Sequence, residues 1–312
     1  MSLTWARITL RLHRFELVAF ALVLGGLTLT TFGVAAYVHS LLPGPECYVS
    51  DIVSPACVEA GRAFDEARQS MGILAAPVVV VCYAIGVFLG VPILARELER
   101  GTLRLAWSLA LSRWRWYTAR AIPVLAVLIV LTFVAGVAVD TFFSASTPNE
   151  DFSRSFAGYG ARGGILAARA AFIFALSVTV GSIIGRALPA VIVAAIVAAL
   201  AMGGGIWLQD RILRAEAVAV PKDANGTGGA SVGDLSIDTQ FVLPDGTLVG
   251  WEYFIGSDPF DANGNPKLPM VAIVVPGERY RFVEAREAMA LGVATLVVLV
   301  LGGFVVLRRR PG

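Results

Sequence analysis

Few residues in this chain have the chemistry for catalysis, and their spacing argues against it. A phosphate-binding loop needs a lysine directly after a glycine, so that backbone amides and an ammonium group surround the phosphates together. The only lysines are Lys222 and Lys267, and each follows a proline. The glycine-rich stretch 225–233 has no Gly-Lys-Ser/Thr after it and reads as a flexible loop. The chain should therefore not hydrolyse ATP itself. Its two histidines, His13 and His39, stand at opposite ends of one apolar run. That rules out a histidine metal cluster and argues against a Ser-His-Asp triad. No catalytic, cofactor-binding or metal-ligating residue is expected.

The remaining polar chemistry is structural or adhesive. Cys47 and Cys57 are separated by nine residues in an acidic, proline-bearing loop. Two cysteines in one extracytoplasmic loop read as a disulfide, the alternative being two free thiols. Cys82 falls in an apolar run and reads as a small buried side chain. Asp140 and Arg169 are single charges inside apolar runs. Antiparallel neighbours would bring them to similar depth as an ion pair; the alternative is that each snorkels to the interface. The densest charge lies in Arg96 to Arg115, with five arginines and two glutamates between two apolar runs. Such a segment cannot sit in hydrocarbon, and its arginine excess places it on the inner face. Gly101 interrupts it. Thr102 can cap a short helix with Leu103, Leu105, Ala106 and Leu109 on one side, and Ser112 can cap the next helix. A short surface helix and a solvated loop both fit these residues.

Composition says what positions these groups. The chain is 57% hydrophobic and 15% charged, with mean hydropathy +0.74. That defines a polytopic membrane protein. The net charge of +2 gives no indication of nucleic-acid binding. Apolar runs predict spans over 15–38, 72–94, 117–143, 164–184, 189–207 and 288–307, each long enough to cross a bilayer. The first is too long for a signal-peptide core, and no cleavage site follows it. The short segments between spans on one side carry the arginines, so both termini are expected inside.

Ahead of the first span, Trp5, Ile8, Leu12 and Phe15 share one helical side, with Arg7, Arg11 and Arg14 on another. This is the pattern of an interfacial helix. The fourth and fifth spans carry Gly181-x-x-x-Gly185 and Gly203-Gly204-Gly205. Small residues let helices approach closely, within one chain or across a dimer seam. Between Gln209 and Glu287 the polar stretch alternates at Leu235, Ile237, Thr239, Phe241 and Leu243. It turns at Asp245-Gly246 and returns over Thr247 to Phe254, with a further turn over Asp261 to Pro266 and another strand over Met270 to Val275. The expected fold class is all-α polytopic with six transmembrane helices and a small β-rich insertion. The divisions are 1–207, 208–287 and 288–312.

The pattern Arg96-Glu97-x-Glu99-x-Gly101-Thr102-x-Arg104-Leu105, followed by Leu111-Ser112-Arg113 and an aromatic-basic helix entry, resembles the permease subunits of ATP-binding-cassette transporters. The resemblance is to the ABC type-2, exporter-like class, in its six-helix actinobacterial kind. Pro276, Arg279 and Tyr280 fit the Pro-x-x-Arg-aromatic pattern found before the last helix of that family. The resemblance implies an elbow helix at the N-terminus and a cytoplasmic coupling helix in the Arg96 stretch. It implies a separate ATPase subunit dimer carrying ATP and Mg, and a second permease copy or a sister permease in the bilayer of the bacterial cell membrane. Arg96, Glu97, Glu99, Arg100, Gly101, Thr102 and Arg104 would then be the coupling residues. Glu97, Glu99 and Arg100 would make charged contacts with the ATPase, Gly101-Thr102 would set the bend and Arg104 would anchor the helix. No cofactor is implied on this chain.

Two other classes remain open on the sequence. One is a membrane-anchored sensor or assembly protein that displays the β-rich insertion, and an adjacent ATPase gene would decide against it. The other is a secondary transporter, for which deep intramembrane charge and a visible inverted repeat are missing. The arginine pattern makes a direct prediction about topology. A Gln240→Cys variant should react with an impermeant thiol reagent added to intact cells, and a Ser108→Cys variant should not. The reverse labelling would overturn the orientation.

Overall fold

The computed structural model describes residues 3–44, 47, 54–73, 75–101, 112–148, 150–223, 230–231, 233–255, 258–261 and 265–309. The chain is mostly helical. Among the described residues, six helical stretches are long and apolar enough to cross a membrane.

Helix α1 (Leu3–Leu12) is followed by α2 (Arg14–Ser40), with His13 between them outside helical geometry. Helix α3 (Pro55–Gly72) occupies what the sequence presents as a loop. Helix α4 (Ala75–Gly90) runs into α5 (Pro92–Glu99), and Val91 between them keeps helical dihedrals of φ −61° and ψ −50°. Pro92 fits there because the first residue of a helix needs no amide donor. Helix α6 (Arg113–Ser146) accommodates Pro123, which a membrane helix tolerates. Helices α7 (Gly163–Ile184), α8 (Ala187–Glu216) and α9 (Tyr280–Arg308) follow.

The chain divides into two compact units. The first takes in 1–148, 158–201 and 285–312, and the second 149–157 and 202–284. Two helices run beyond the apolar stretches that mark them in the sequence. Helix α8 continues past the predicted span to Glu216, with Arg214 and Asp210 paired one turn apart at 2.7 Å. Helix α9 starts at Tyr280, because Tyr280 to Ala288 is rich in helix-favouring Glu, Arg and Ala although it is polar.

In the first unit α6 packs on α2, α7 packs on both α6 and α4, and α1 lies on α6. Lipid offers no hydrophobic drive between helices, so close approach of small residues has to supply the attraction. A Cβ on Gly90 would lie 2.7 Å from the Ser177 Cβ and 2.8 Å from the Phe174 carbonyl. One on Gly136 would lie 2.6 Å from the Gly163 amide nitrogen. Gly86-x-x-x-Gly90 on α4 is thus a packing seam against α7. Gly181 is also spent inside the chain, against the Val91 carbonyl, whereas open space surrounds Gly203, Gly204 and Gly205.

The second unit holds a four-stranded antiparallel sheet in the order β1 (Val218–Pro221), β4 (Met270–Val275), β2 (Leu235–Val242), β3 (Leu248–Val249). Asp245-Gly246 closes the β2–β3 hairpin; Gly246 has φ 85°, and the Leu243 amide donates to the Thr247 carbonyl. An irregularity between Ser236 and Asp238 shifts the β2–β4 register, so the alternation that starts at Leu235 does not continue unbroken. Phe241 is fully buried beneath Trp251 and Phe254. In the same unit Tyr280 meets Phe156 edge-on at 5.4 Å, and the Gly277 amide donates to Asp234.

The two glycine environments give opposite expectations. Gly90→Leu should destabilise the protein by at least ~1–3 kcal/mol through overpacking against α7 backbone. Gly204→Leu should lose nothing. Thermal unfolding midpoints in one detergent, for the two variants and the parent, would check this.

Candidate functional site

The charged stretch after α4 is held at both described ends by its own chain. Arg96, Glu97 and Glu99 lie on α5, Arg100 ends it, and exposed Gly101 follows in left-handed backbone with φ 68°. Arg96 pairs with Glu16 on α2, which also binds His13 Nδ1 at 2.8 Å. The Arg120 guanidinium on α6 donates to Glu97 Oε1 at 2.5 Å and lies over the Trp116 ring. Glu99 Oε2 accepts from the Ala187 amide at 3.1 Å. That amide is in the first turn of α8, where helix N–H groups lack internal partners and the dipole favours a carboxylate.

The far end is fixed by helix capping. Ser112 Oγ accepts from the Arg115 amide at 3.1 Å and starts α6. Arg113 donates to the carbonyls of Leu307 at 2.9 Å and Arg309 at 3.2 Å, at the end of α9. Arg309 in turn donates to the Ile183 carbonyl at 3.0 Å and packs on Gly185, the left-handed residue that ends α7. Guanidinium groups therefore satisfy the orphan carbonyls of two helix C-termini. The entry end is tied to α2, α6 and α8, and the exit end to α9. Thr102 and Arg104, with the rest of 102–111, lie outside the described residues.

At the opposite ends of these helices the expected Asp140–Arg169 pair is replaced by two others. Asp140 pairs with Arg162 at 2.8 Å, and Arg169 pairs with Glu287 at 2.6 Å. Arg162 and Arg169 are seven residues apart in sequence, about 10 Å along a helix axis. Asp140 packs against Gly163 at the start of α7 and so meets the nearer arginine. The deeper Arg169, 8% exposed, takes its carboxylate from α9. The Tyr159 hydroxyl donates to the same carboxylate at 2.6 Å. Sequence reasoning assigned Glu287 to the polar stretch before the last span and so missed it. The available signal was a lone arginine in one apolar helix and two acids, Glu284 and Glu287, just ahead of another apolar run.

Cys47 and Cys57, the latter in the first turn of α3, form a disulfide with a Cα–Cα distance of 5.5 Å, and Cys82 is buried in α4. The second unit has a polar cleft of about 420 Å³ lined by Glu150, Asp151, Arg154, Asp234 and Glu278 among others. Two of its acids serve the unit's own backbone. Asp234 accepts from the Gly277 and Ser231 amides, and the Ser153 hydroxyl and amide hold the Asp151 carboxyl below the usual carboxylate range.

Six apolar spans among the described residues make this a multi-pass membrane protein. The chain belongs to the ABC-2 membrane transporter related family, whose profile matches residues 17–208, from the start of α2 into α8. Searches of curated proteins and of solved structures returned no match. Permeases of the ABC-2 kind are typically the non-enzymatic membrane components of transport systems that also contain an ATPase.

The braces make a measurable claim. Glu97→Gln should destabilise the protein by about 1–3 kcal/mol, since it weakens a half-buried, charge-assisted hydrogen bond and leaves Arg120 short of a counter-charge. Adding Arg120→Gln should cost less than the sum of the two single changes. A double-mutant cycle on unfolding midpoints would measure the coupling, and strict additivity would remove the brace.

Proposed function

We propose that this chain is the permease of an ABC exporter, and that residues 96–111 form the segment through which a separate ATPase subunit drives it. The permease works as a dimer, with a second copy or a sister permease, and binds two ATPase subunits that carry ATP and Mg. It sits in the bacterial cell membrane with both termini cytoplasmic and the β-rich unit outside. Closure of the ATPase subunits pushes the segment, and α5 and α6 carry the displacement into the spans.

The observation that carries this reading is the bracing of the segment's two ends. A loop that only orients a membrane protein needs arginines, not carboxylates, because acids contribute little to orientation. Here each carboxylate on α5 holds a different helix: Glu97 holds α6 and Glu99 holds α8. A push delivered beyond Gly101 would reach several spans at once. Arg100 and Gly101 are exposed next to it, open to a partner surface. Rim charges of this kind set register and specificity in a protein interface.

Gly101→Pro tests the bend. Proline is confined to φ near −65° and cannot take the φ of 68° found here. The variant should still insert, should copurify less ATPase subunit, and should lose most substrate-stimulated hydrolysis in reconstituted membranes. Wild-type copurification and hydrolysis in this variant would contradict the assignment.

A further inference from the structure

The turn that leads into α7 has three glycines in left-handed backbone within six residues: Gly158 at φ 68°, Gly160 at φ 86° and Gly163 at φ 26°. Each faces a side chain that a Cβ would strike. Gly158 lies against the Phe143 ring, Gly160 against the Arg169 guanidinium and Gly163 against the Asp140 carboxylate. A chain so rich in glycine has little shape of its own, so its conformation must be imposed by its surroundings. Polar contacts impose it here. Asp140 on α6 binds Arg162 at 2.8 Å. Arg169 Nη1 donates to the Gly160 carbonyl at 3.3 Å, and its other nitrogens grip Glu287 on α9 at 2.6 and 2.8 Å. Tyr159, from within the turn, donates to Glu287 at 2.6 Å. The Tyr83 hydroxyl on α4 completes the ring around Arg169.

One guanidinium therefore holds both a flexible turn and the start of a long helix. Its carboxylate partner is the contact that the turn and the helix share. Neither group is replaceable by lipid or by an apolar neighbour, so loss of one leaves the other without its counter-charge. Loop and element-terminal residues, often small ones, are the positions that absorb large backbone changes in hinge motions.

We propose that the Gly158–Gly163 turn and the Arg169–Glu287 pair form an ion-pair latch, which fixes the 285–292 stretch of α9 to α7 and frees turn and helix together when the pair is broken. The proposal does not depend on the permease reading, because it concerns which segments of this chain open as one unit.

Hydrogen exchange of the full-length protein in detergent tests it. Glu287→Gln keeps the shape of the side chain and removes its charge. Amides in 158–163 and in 285–292 should then exchange about tenfold faster or more, both by the same factor, while amides in the middle of α7 keep their protection. Arg169→Gln should give the same pattern. The reversed pair, Arg169→Glu with Glu287→Arg, should recover a substantial part of the protection in both segments. If Glu287→Gln does not yield folded protein, Tyr159→Phe removes one bond to the same carboxylate and should raise exchange less, in the same two segments. Response of only one segment, no response, or a uniform rise through α6 and α7 would overturn the latch.

Discussion

A guanidinium inside a bundle of apolar helices must be matched by acceptors from the protein itself, since neither hydrocarbon nor an aliphatic helix face can solvate it. This chain meets that constraint at both ends of its spans. Arg120 is matched by Glu97, Arg113 by the carbonyls at the end of α9, Arg309 by the end of α7, and Arg169 by Glu287. The match is directional. Each arginine reaches a helix other than its own, so the charged residues also fix which helices are neighbours. Small residues then let those neighbours close, as Gly86 and Gly90 do against α7.

The same constraint explains the region after α4. An arginine-rich connection would orient the chain by itself, but its glutamates would have no purpose. In the structure they join α5 to α6 and to α8, while Arg96 joins it to α2. The two described ends of the charged segment are therefore mounted on the bundle. A family that works beside an ATPase makes sense of a mounted segment, because a force applied to a loose loop would not reach the spans.

Much of this architecture is legible in the sequence because lipid imposes long apolar runs. The runs at 15–38 and 164–184 correspond closely to α2 and α7, and the dipeptide Asp245-Gly246 marks a hairpin whose glycine does take positive φ. What escapes is whatever depends on a partner distant in sequence. Helix α3 reads as a loop because its helix formers are polar; Phe64 and Ala67 gain a purpose only beside Val38 and Phe142. Strand β1 is four residues ending in proline, an edge that only pairing with β4 defines. Arg169 was visible as an anomaly, but its partner was not, because Glu287 lies 118 residues away in a stretch that looks merely polar. Hydropathy reports the medium around a helix and carries no record of which face meets which neighbour.

The central claim is that the segment after Gly101 meets the ATPase subunit, and cross-linking tests it most directly. A photoreactive amino acid placed at position 108 should cross-link to the ATPase subunit in membranes, and more strongly when ATP is bound than in its absence. The same group at position 240 should give no such product. A cross-link at 240, or none at 108 with both subunits present and assembled, would contradict the account.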